Sequence, residues 1–539
     1  MKRIWIGFGL ILLFLSGCAV QPPSPRKIEP RIKVGLLWGI DSTEFSVDGS
    51  FRITSYDGTF IARGVRGKRW RAEVKTTVPG RLIYMLVAGS MSSRATAKSA
   101  AKKINKMGFK TFIQPVGELL RIGGRIVSDN RSYRIYIKKA FENEEAAKSY
   151  RDSIWNRLET FVVRQAIRKP KGKIILTNLD DGQEFESSRP ILIKGASVTI
   201  YNVPVGRGYH WEHLENRTYP ETICFQLDNE GKLTVINILP LEEYLQGVVP
   251  SEMPDSFPLE ALKAQAVAAR SEVLAKFGIV HRTDPFDVCA DVHCQVYSGL
   301  SRKSPLTDRA VRETRGLVLW EKGKVCNAVY SAVCGGHGED ADKVWGGQPQ
   351  SYLRGEFDGS GRLRRYGSLT DEKNLKRWID ANPPAYCNTS LGKVPRALEY
   401  TKKYFRWEVN YTQEELKQIL EKNTGQNIGS ILDLIPLERG ISGRIILLRV
   451  LGTEGEFTIK GELKIRKAFS NNTLWSSCFY VSKKRGRNRI PEEFILKGAG
   501  FGHGVGMCQT GAAVMALRGR KFNEILKHYY KGVHIKKLY

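Results

Sequence analysis

One carboxylate stands out by its setting. Glu252 lies in the run Leu241-Glu242-Glu243-Tyr244-Leu245-Gln246-Gly247-Val248-Val249-Pro250-Ser251-Glu252-Met253-Pro254, between an apolar segment and a proline-bounded loop. Apolar surroundings disfavour the charged form of a carboxyl, so Val248, Val249 and Met253 give Glu252 the setting of a general acid with a raised pKa. The bland alternative is a solvated loop acid.

The elements around it follow from periodicity. Leu233 to Pro240 reads as a strand that the proline ends, and Leu241 to Val249 leads on to the loop bearing Glu252. A helix begins at Pro258, capped from Asp255 or Ser256, with Leu259, Leu262, Ala266, Ala269 and Val273 forming a narrow stripe. Arg270 falls at the edge of that stripe, where a guanidinium needs an anionic partner or substrate oxygens unless its head group reaches water. Near the C-terminus, Gly498, Gly500, Gly502, Gly504 and Gly506 alternate around His503. Glycines at that density let backbone approach a ligand, which makes His503 and Gln509 candidates for substrate binding; a purely structural turn is the other reading. A helix follows from Thr510 to Leu517.

Nine cysteines are present. Cys289, His293 and Cys294 crowd together with His281 just upstream, a mixed sulfur and nitrogen set that zinc favours, while disulfides or free thiols are open alternatives. Cys334 and His337 form a weaker, structural pair.

The chain has 539 residues, enough for several cores, and a formal charge of +30 suited to anionic surroundings. Lys2-Arg3 followed by an apolar stretch from Ile4 to Leu15 is too short to span a membrane but fits a secretory signal. It ends Leu15-Ser16-Gly17-Cys18, which resembles the bacterial lipobox. That resemblance implies a signal peptide over residues 1–17, lipid on Cys18, a tether over 18–30, and an extracytoplasmic protein anchored to membrane, in the outer membrane facing the periplasm if the cell has two. Export argues against nucleic acid as a partner. A β-rich segment over 31–75 starts the mature protein.

Residues 80–166 contain a repeat. Strand, helix and strand over Leu82 to Gln114 recur over Tyr133 to Arg164, with Met91, Ala97 and Lys98 facing Phe141, Ala147 and Lys148 at an offset of 50. Two βαβ halves make a small ferredoxin-like α+β sheet. The pattern resembles the SPOR domain, which binds glycan strands lacking stem peptides, although Met91 and Lys139 replace an aromatic residue and a glycine of that family's pattern. Basic Arg168 to Lys173 begins a linker over 167–190.

The run ending in Ser251-Glu252-Met253-Pro254, the segment Leu259 to Arg270, Cys334-Gly335-Gly336, and Gly498 to Met507 together resemble the SpoIID/LytB family over residues 191–539. This sequence has Cys508 where that family often has serine. The resemblance implies a multidomain α+β protein whose β-rich catalytic domain acts on peptidoglycan as a lytic transglycosylase. Glu252 would protonate the leaving oxygen of a MurNAc–GlcNAc bond. A hydrolase needs a second carboxylate, whereas attack by the sugar's own 6-hydroxyl does not and leaves a 1,6-anhydro end. No second acid stands in an equally marked motif. The family also implies a structural zinc on Cys289, His293, Cys294 and His281, with no cofactor needed for catalysis. Two further readings stay open: a non-catalytic regulator of the amidase-enhancer kind, working with a peptidoglycan amidase, and a structural wall-binding lipoprotein.

Overall fold

The computed structural model describes residues 29–539 apart from 65–67, 210, 360–365 and 487–489. The signal segment, Cys18 and most of the tether lie outside the described residues. The chain is multidomain, mixed and β-rich, and among the described residues no helix is long and apolar enough to cross a membrane.

Two sheets form the first body. A seven-stranded sheet runs Val288–Cys289, Arg31–Ile40, Leu233–Pro240, Thr222–Leu227, Ile191–Lys194, Phe51–Ser55, Phe60–Gly64; a six-stranded one runs Glu184–Ser187, Lys171–Asn178, Arg69–Val78, Ser42–Val47, Val198–Val205, His213–Tyr219. Their inner faces meet through Phe45 against Phe225 and Phe51 against Trp70, with ring centroids 4.9 and 5.9 Å apart. The segment 31–75 is therefore not a unit of its own. Arg31 pairs with Pro240 and Ile40 with Leu233, so the first strand lies beside the one that leads to Glu252.

The expected linker over 167–190 is likewise corrected. Its basic start is the exposed end of a strand: Lys171 and Lys173 face solvent, while Ile174, Ile175 and Leu176 enter the core. Lys171 pairs with Val78, so the repeat-bearing module is inserted between two neighbouring strands of one sheet.

That module has four antiparallel strands in the order Phe161–Arg168, Arg81–Met91, Ser132–Phe141, Thr111–Val116. Helices Arg94–Lys106 and Glu144–Ile154, capped by Ser93 and Asn143, bury Ala97, Ala101, Ile104, Ala147 and Ile154 against it. A hairpin that the repeat does not contain, Leu119–Ile122 with Arg125–Asp129, leaves the module and docks. Leu120 joins the core of the two-sheet body, and Asn130 Nδ2 donates to the Leu274 carbonyl at 2.6 Å.

The C-terminal part adds a further β unit. Strands Trp407–Thr412, Pro491–Gly498 and Phe479–Arg485 form one sheet, and Ile431–Arg439, Ile445–Gly452 and Glu456–Lys460 another. They share a core with helices Gln413–Thr424 and Glu462–Ala468.

Between these bodies lies the helix Leu259–Lys276. Its expected narrow stripe is wider than sequence suggests: Leu262, Ala266, Ala269 and Val273 pack toward the sheets, and Ala264, Val267 and Ala268 toward the C-terminal helices Gln509–Leu517 and Phe522–Tyr529. A helix covered on both sides is apolar around most of its circumference. Arg270 shows the consequence. It is 0 % exposed and donates to both carboxylate oxygens of Glu242, at 2.9 and 2.7 Å, and to the Leu317 carbonyl at 3.0 Å. The expectation that Arg270 binds substrate is thus corrected, because its donors are consumed in the interior. The pair fixes this helix to Leu241–Glu252, which carries Glu242 in its first turn. Removing one partner of such a pair strands a buried charge, at a cost of about 3–5 kcal/mol. Glu242→Ala is expected to lower unfolding free energy by that amount in chemical denaturation, and Glu242→Leu with Arg270→Leu to recover much of it. An unchanged midpoint in the single variant would show that the charge is not truly enclosed.

Candidate functional site

Glu252 is the last residue of helix Leu241–Glu252, not part of a loop as the prolines suggested. Pro250 sits in the last turn and offers no N–H to the Gln246 carbonyl, and the helix ends two residues later, where the chain turns extended at Met253. Ser251 Oγ donates to the Gly247 carbonyl at 2.6 Å and lies 2.7 Å from Ser298 Oγ. Gly247 has no room for a side chain, since a Cβ there would lie 2.5 Å from the Tyr297 ring. The segment around Tyr297 can therefore lie flat on the helix. Tyr297 is itself pinned by its hydroxyl, which donates to Asn237 Oδ1 at 2.7 Å.

This packing delivers a backbone donor to the carboxyl. The Val296 N–H donates to Glu252 Oε1 at 2.8 Å. Gln509 Nε2 donates to the Glu252 carbonyl at 3.1 Å and to Gln265 Oε1 at 3.3 Å. Among the described residues the enclosed Tyr330 hydroxyl has no other partner, and it faces the carboxyl. Burial pushes the Glu252 carboxyl up to about 7; the Glu272 carboxylate adds to the rise, while Val296, Gln509 and Tyr330 hold it back. Glu272 is the second acid near the site, but its oxygens are occupied by Lys276 Nζ at 2.6 Å and Gln295 Nε2 at 2.8 Å.

The glycine-rich loop closes the far side. Gly504 adopts φ of +75°, and a Cβ there would lie 2.4 Å from the Arg444 guanidinium. Arg444 Nη2 in turn donates to the Cys334 and Gly502 carbonyls, each at 3.2 Å. His503 is held inside this loop. Its Nδ1 accepts from the Val505 N–H at 3.0 Å, Tyr330 backbone engages the ring as well, and Trp345 packs edge-on at 4.9 Å. Burial, with Arg444 and Arg466 nearby, lowers its pKa to about 3, so it stays neutral. Gln509 thus braces Glu252 directly, while His503 belongs to the glycine-rich loop beside it. The loop bearing Tyr209 and Trp211, whose rings stack at 4.6 Å, meets Phe501 of the glycine-rich loop at 6.4 Å.

His281, Cys289, His293 and Cys294 come together, with ligand atoms all within 4.8 Å of one another. His281 Nε2 is 3.4 Å and His293 Nδ1 3.5 Å from Cys294 Sγ. Asp284 Oδ2 holds His281 Nδ1 at 2.8 Å, which turns Nε2 toward the sulfurs. Two sulfurs and two imidazole nitrogens in this arrangement fit a zinc ion. The loop runs directly into Gln295 and Val296, so whatever holds it also positions the donor to Glu252. His337 does not join Cys334; its Nδ1 bonds the Gly338 carbonyl at 2.7 Å.

Tyr330, Val296, Glu272 and Gln265 were not foreseen from sequence. Gln265 lies inside the recognised helix motif, but backbone N–H groups and a lone tyrosine have no spacing signature.

Comparison with known proteins relates separate stretches of the chain to known families. The family profile described as Stage II sporulation protein matches residues 229–320, the SPOR domain profile matches 80–164, and a domain of unknown function (DUF8618) matches 339–506. An uncharacterized protein of Brachyspira hyodysenteriae is 31% identical over 305 residues, covering 56% of this chain and 68% of that protein. The amidase enhancer of Bacillus subtilis is 28% identical over 302 residues, covering 53% of this chain but only 39% of its own length. Stage II sporulation protein D of Bacillus amyloliquefaciens is 28% identical over 311 residues, covering 55% of this chain and 74% of that protein.

A carboxyl with a folded pKa near 7, above the ordinary 4.5, favours folding while protonated. Its contribution is complete below about pH 4.5 and disappears as pH rises through about 7. Glu252→Gln should therefore gain stability relative to the parent between about pH 5 and about pH 8, measured by denaturation at both. A stability difference that does not change with pH would contradict the raised pKa.

Proposed function

We propose that this chain, which belongs to the SpoIID family and carries a SPOR domain, acts outside the cytoplasm on peptidoglycan as a lytic transglycosylase for denuded glycan strands. The observation that supports this most is the Glu252 carboxyl, partly enclosed and titrating near neutrality at about 7. At neutral pH a substantial fraction carries the proton that a leaving oxygen needs. In this reading Glu252 protonates the bridging oxygen of the MurNAc–GlcNAc bond, the bond to the anomeric carbon breaks, and the 6-hydroxyl of the same MurNAc closes on that carbon. The Glu252 carboxylate then takes the hydroxyl proton, which restores the acid and leaves a 1,6-anhydro end. The occupied state of Glu272 suits this route, since a hydrolase needs a second carboxylate free to activate water or attack. Val296 N–H stabilises the carboxylate formed after proton donation. Exposed Trp345 and partly exposed Trp211 give flat apolar surface of the kind that sugar rings stack on.

The SPOR domain, read as ferredoxin-like, supplies glycan binding. Its docking through the hairpin at Leu120 presents a strand at a set place near the site, where a flexible tether would only raise local concentration. A lipid on Cys18 would hold the protein at the membrane, facing the periplasm in a cell with two membranes. The amidase-enhancer relative supports a second reading, in which the same surface stimulates a wall amidase without cleaving glycan. A structural wall-binding lipoprotein is the third.

The deciding assay uses amidase-treated glycan, protein lacking the residues before Gln21, and mass spectrometry of the products. The parent should release fragments with 1,6-anhydro ends, and Glu252→Gln should be slower by roughly 100-fold to 10,000-fold. Hydrated ends would mean hydrolysis, and absence of fragments together with faster amidase action would favour the regulator.

We also assign a structural zinc to His281, Cys289, His293 and Cys294, whose role is to hold the loop that ends at Val296. Cys294→Ser should remove one equivalent of zinc by elemental analysis and lower the melting temperature by roughly 5 °C or more. Unchanged metal content would remove this site from consideration.

A further inference from the structure

A second cluster of ligating side chains lies on the other side of Glu252, and nothing in the proposed reaction uses it. Cys334, Asp358, Cys387 and Cys508 come from four separate segments, yet their ligand atoms all lie within 4.8 Å of one another. Cys334 Sγ is 3.1 Å from Asp358 Oδ2 and 3.5 Å from Cys387 Sγ. All four are enclosed, the most accessible being Cys334 at 4 %.

The backbone builds this convergence. Ser331 pairs with Cys508 in a short parallel bridge, and Val333 with Phe501. The Asp358 N–H donates to the Gly336 carbonyl at 3.0 Å, and the Tyr386 N–H to the Asp358 carbonyl at 2.7 Å. Each segment that carries a ligand is thereby tied to another.

The surroundings suit ionised ligands. A carboxylate placed among three thiols in the interior is costly unless a cation compensates it. Asp358 Oδ1 accepts from the Tyr529 hydroxyl at 2.9 Å and lies 3.2 Å from His528 Nε2, which leaves Oδ2 turned toward the sulfurs. Such outer partners orient a metal-binding carboxylate. The sulfurs receive backbone donors: Cys334 N–H to Cys508 Sγ at 3.3 Å, Gly336 N–H to Cys334 Sγ at 3.4 Å, and Gly511 N–H to Cys508 Sγ at 3.4 Å. Cys508 also caps helix Gln509–Leu517, where negative charge is favoured. The Arg406 guanidinium, held on the Gly335, Ile379 and Trp378 carbonyls, adds positive charge nearby.

We propose that Cys334, Asp358, Cys387 and Cys508 bind a second divalent cation of the zinc class, in a site independent of the His281 to Cys294 loop. Three thiolates and one carboxylate oxygen make a closed tetrahedral set, the form of a structural zinc site, and their softness selects zinc over magnesium or calcium. The ion clamps the glycine-rich loop. Cys508 is followed by Gln509, whose side chain holds the Glu252 carbonyl, so the clamp sets one wall of the candidate site.

Zinc content by elemental analysis of the purified full chain tests this. Cys294→Ser is expected to retain one equivalent, and adding Cys387→Ser or Asp358→Asn should remove it. Cobalt loaded into Cys294→Ser in place of zinc should give an intense thiolate-to-metal charge-transfer band characteristic of three sulfur ligands. That readout needs no change to the second cluster and serves if Cys387→Ser fails to fold. The proposal is overturned if Cys294→Ser contains no zinc and takes up no cobalt. It is equally overturned if peptide mapping without reductant finds a disulfide between two of Cys334, Cys387 and Cys508. Neither result depends on whether the protein cleaves glycan.

Discussion

A helical stretch enclosed on every side must satisfy its polar groups inside the protein, and Ala264 to Leu274 of helix Leu259–Lys276 is such a stretch. Arg270 takes Glu242, Glu272 takes Lys276 and Gln295, Gln265 meets Gln509, and the Ser271 hydroxyl accepts from the Leu319 N–H at 2.8 Å. Apart from Lys276, which belongs to the helix itself, each partner comes from a different segment, so satisfying the helix aligns the segments with one another. Gln295 anchored on Glu272 brings Val296 to Glu252, and Gln509 anchored on Gln265 brings the glycine-rich loop to the same residue. The site is assembled as a by-product of that satisfaction.

The same logic gives the cysteines a place. Both clusters of ligating residues sit one or two residues from a group that touches Glu252: Cys294 precedes Val296, and Cys508 precedes Gln509. These two loops have little regular hydrogen bonding of their own. Cross-linking ions, as proposed, would hold them in place.

The SPOR domain enters the same scheme through its insertion. Two chain connections between adjacent strands, at Val78 and Lys171, restrict its orientation, and the hairpin reaching Leu274 restricts it further. The hairpin docks against the C-terminal end of the central helix, so the SPOR domain and the candidate acid share one support.

Periodicity and motif sufficed to identify the central helix, the repeat in the inserted module and the Glu252 motif, because each signal is local: spacing along a helix, a recurring strand and helix order, a marked run of residue types; the four residues of the first cluster needed the family resemblance besides their crowding. Arg270 shows where local information ends. Its position at the edge of an apolar stripe required an anion, but whether that anion was substrate or Glu242 depended on how two helices cross. The basic stretch at Arg168 to Lys173 resembled a linker because charge is all that the sequence displays there; its partner strand lies about ninety residues away, and only pairing with Arg69–Val78 makes it sheet. Val296, Tyr330 and the meeting of Cys334, Asp358, Cys387 and Cys508 were decided by tertiary structure alone. Backbone donors carry no residue code, and ligands spread over four distant segments have no spacing until the chain has folded.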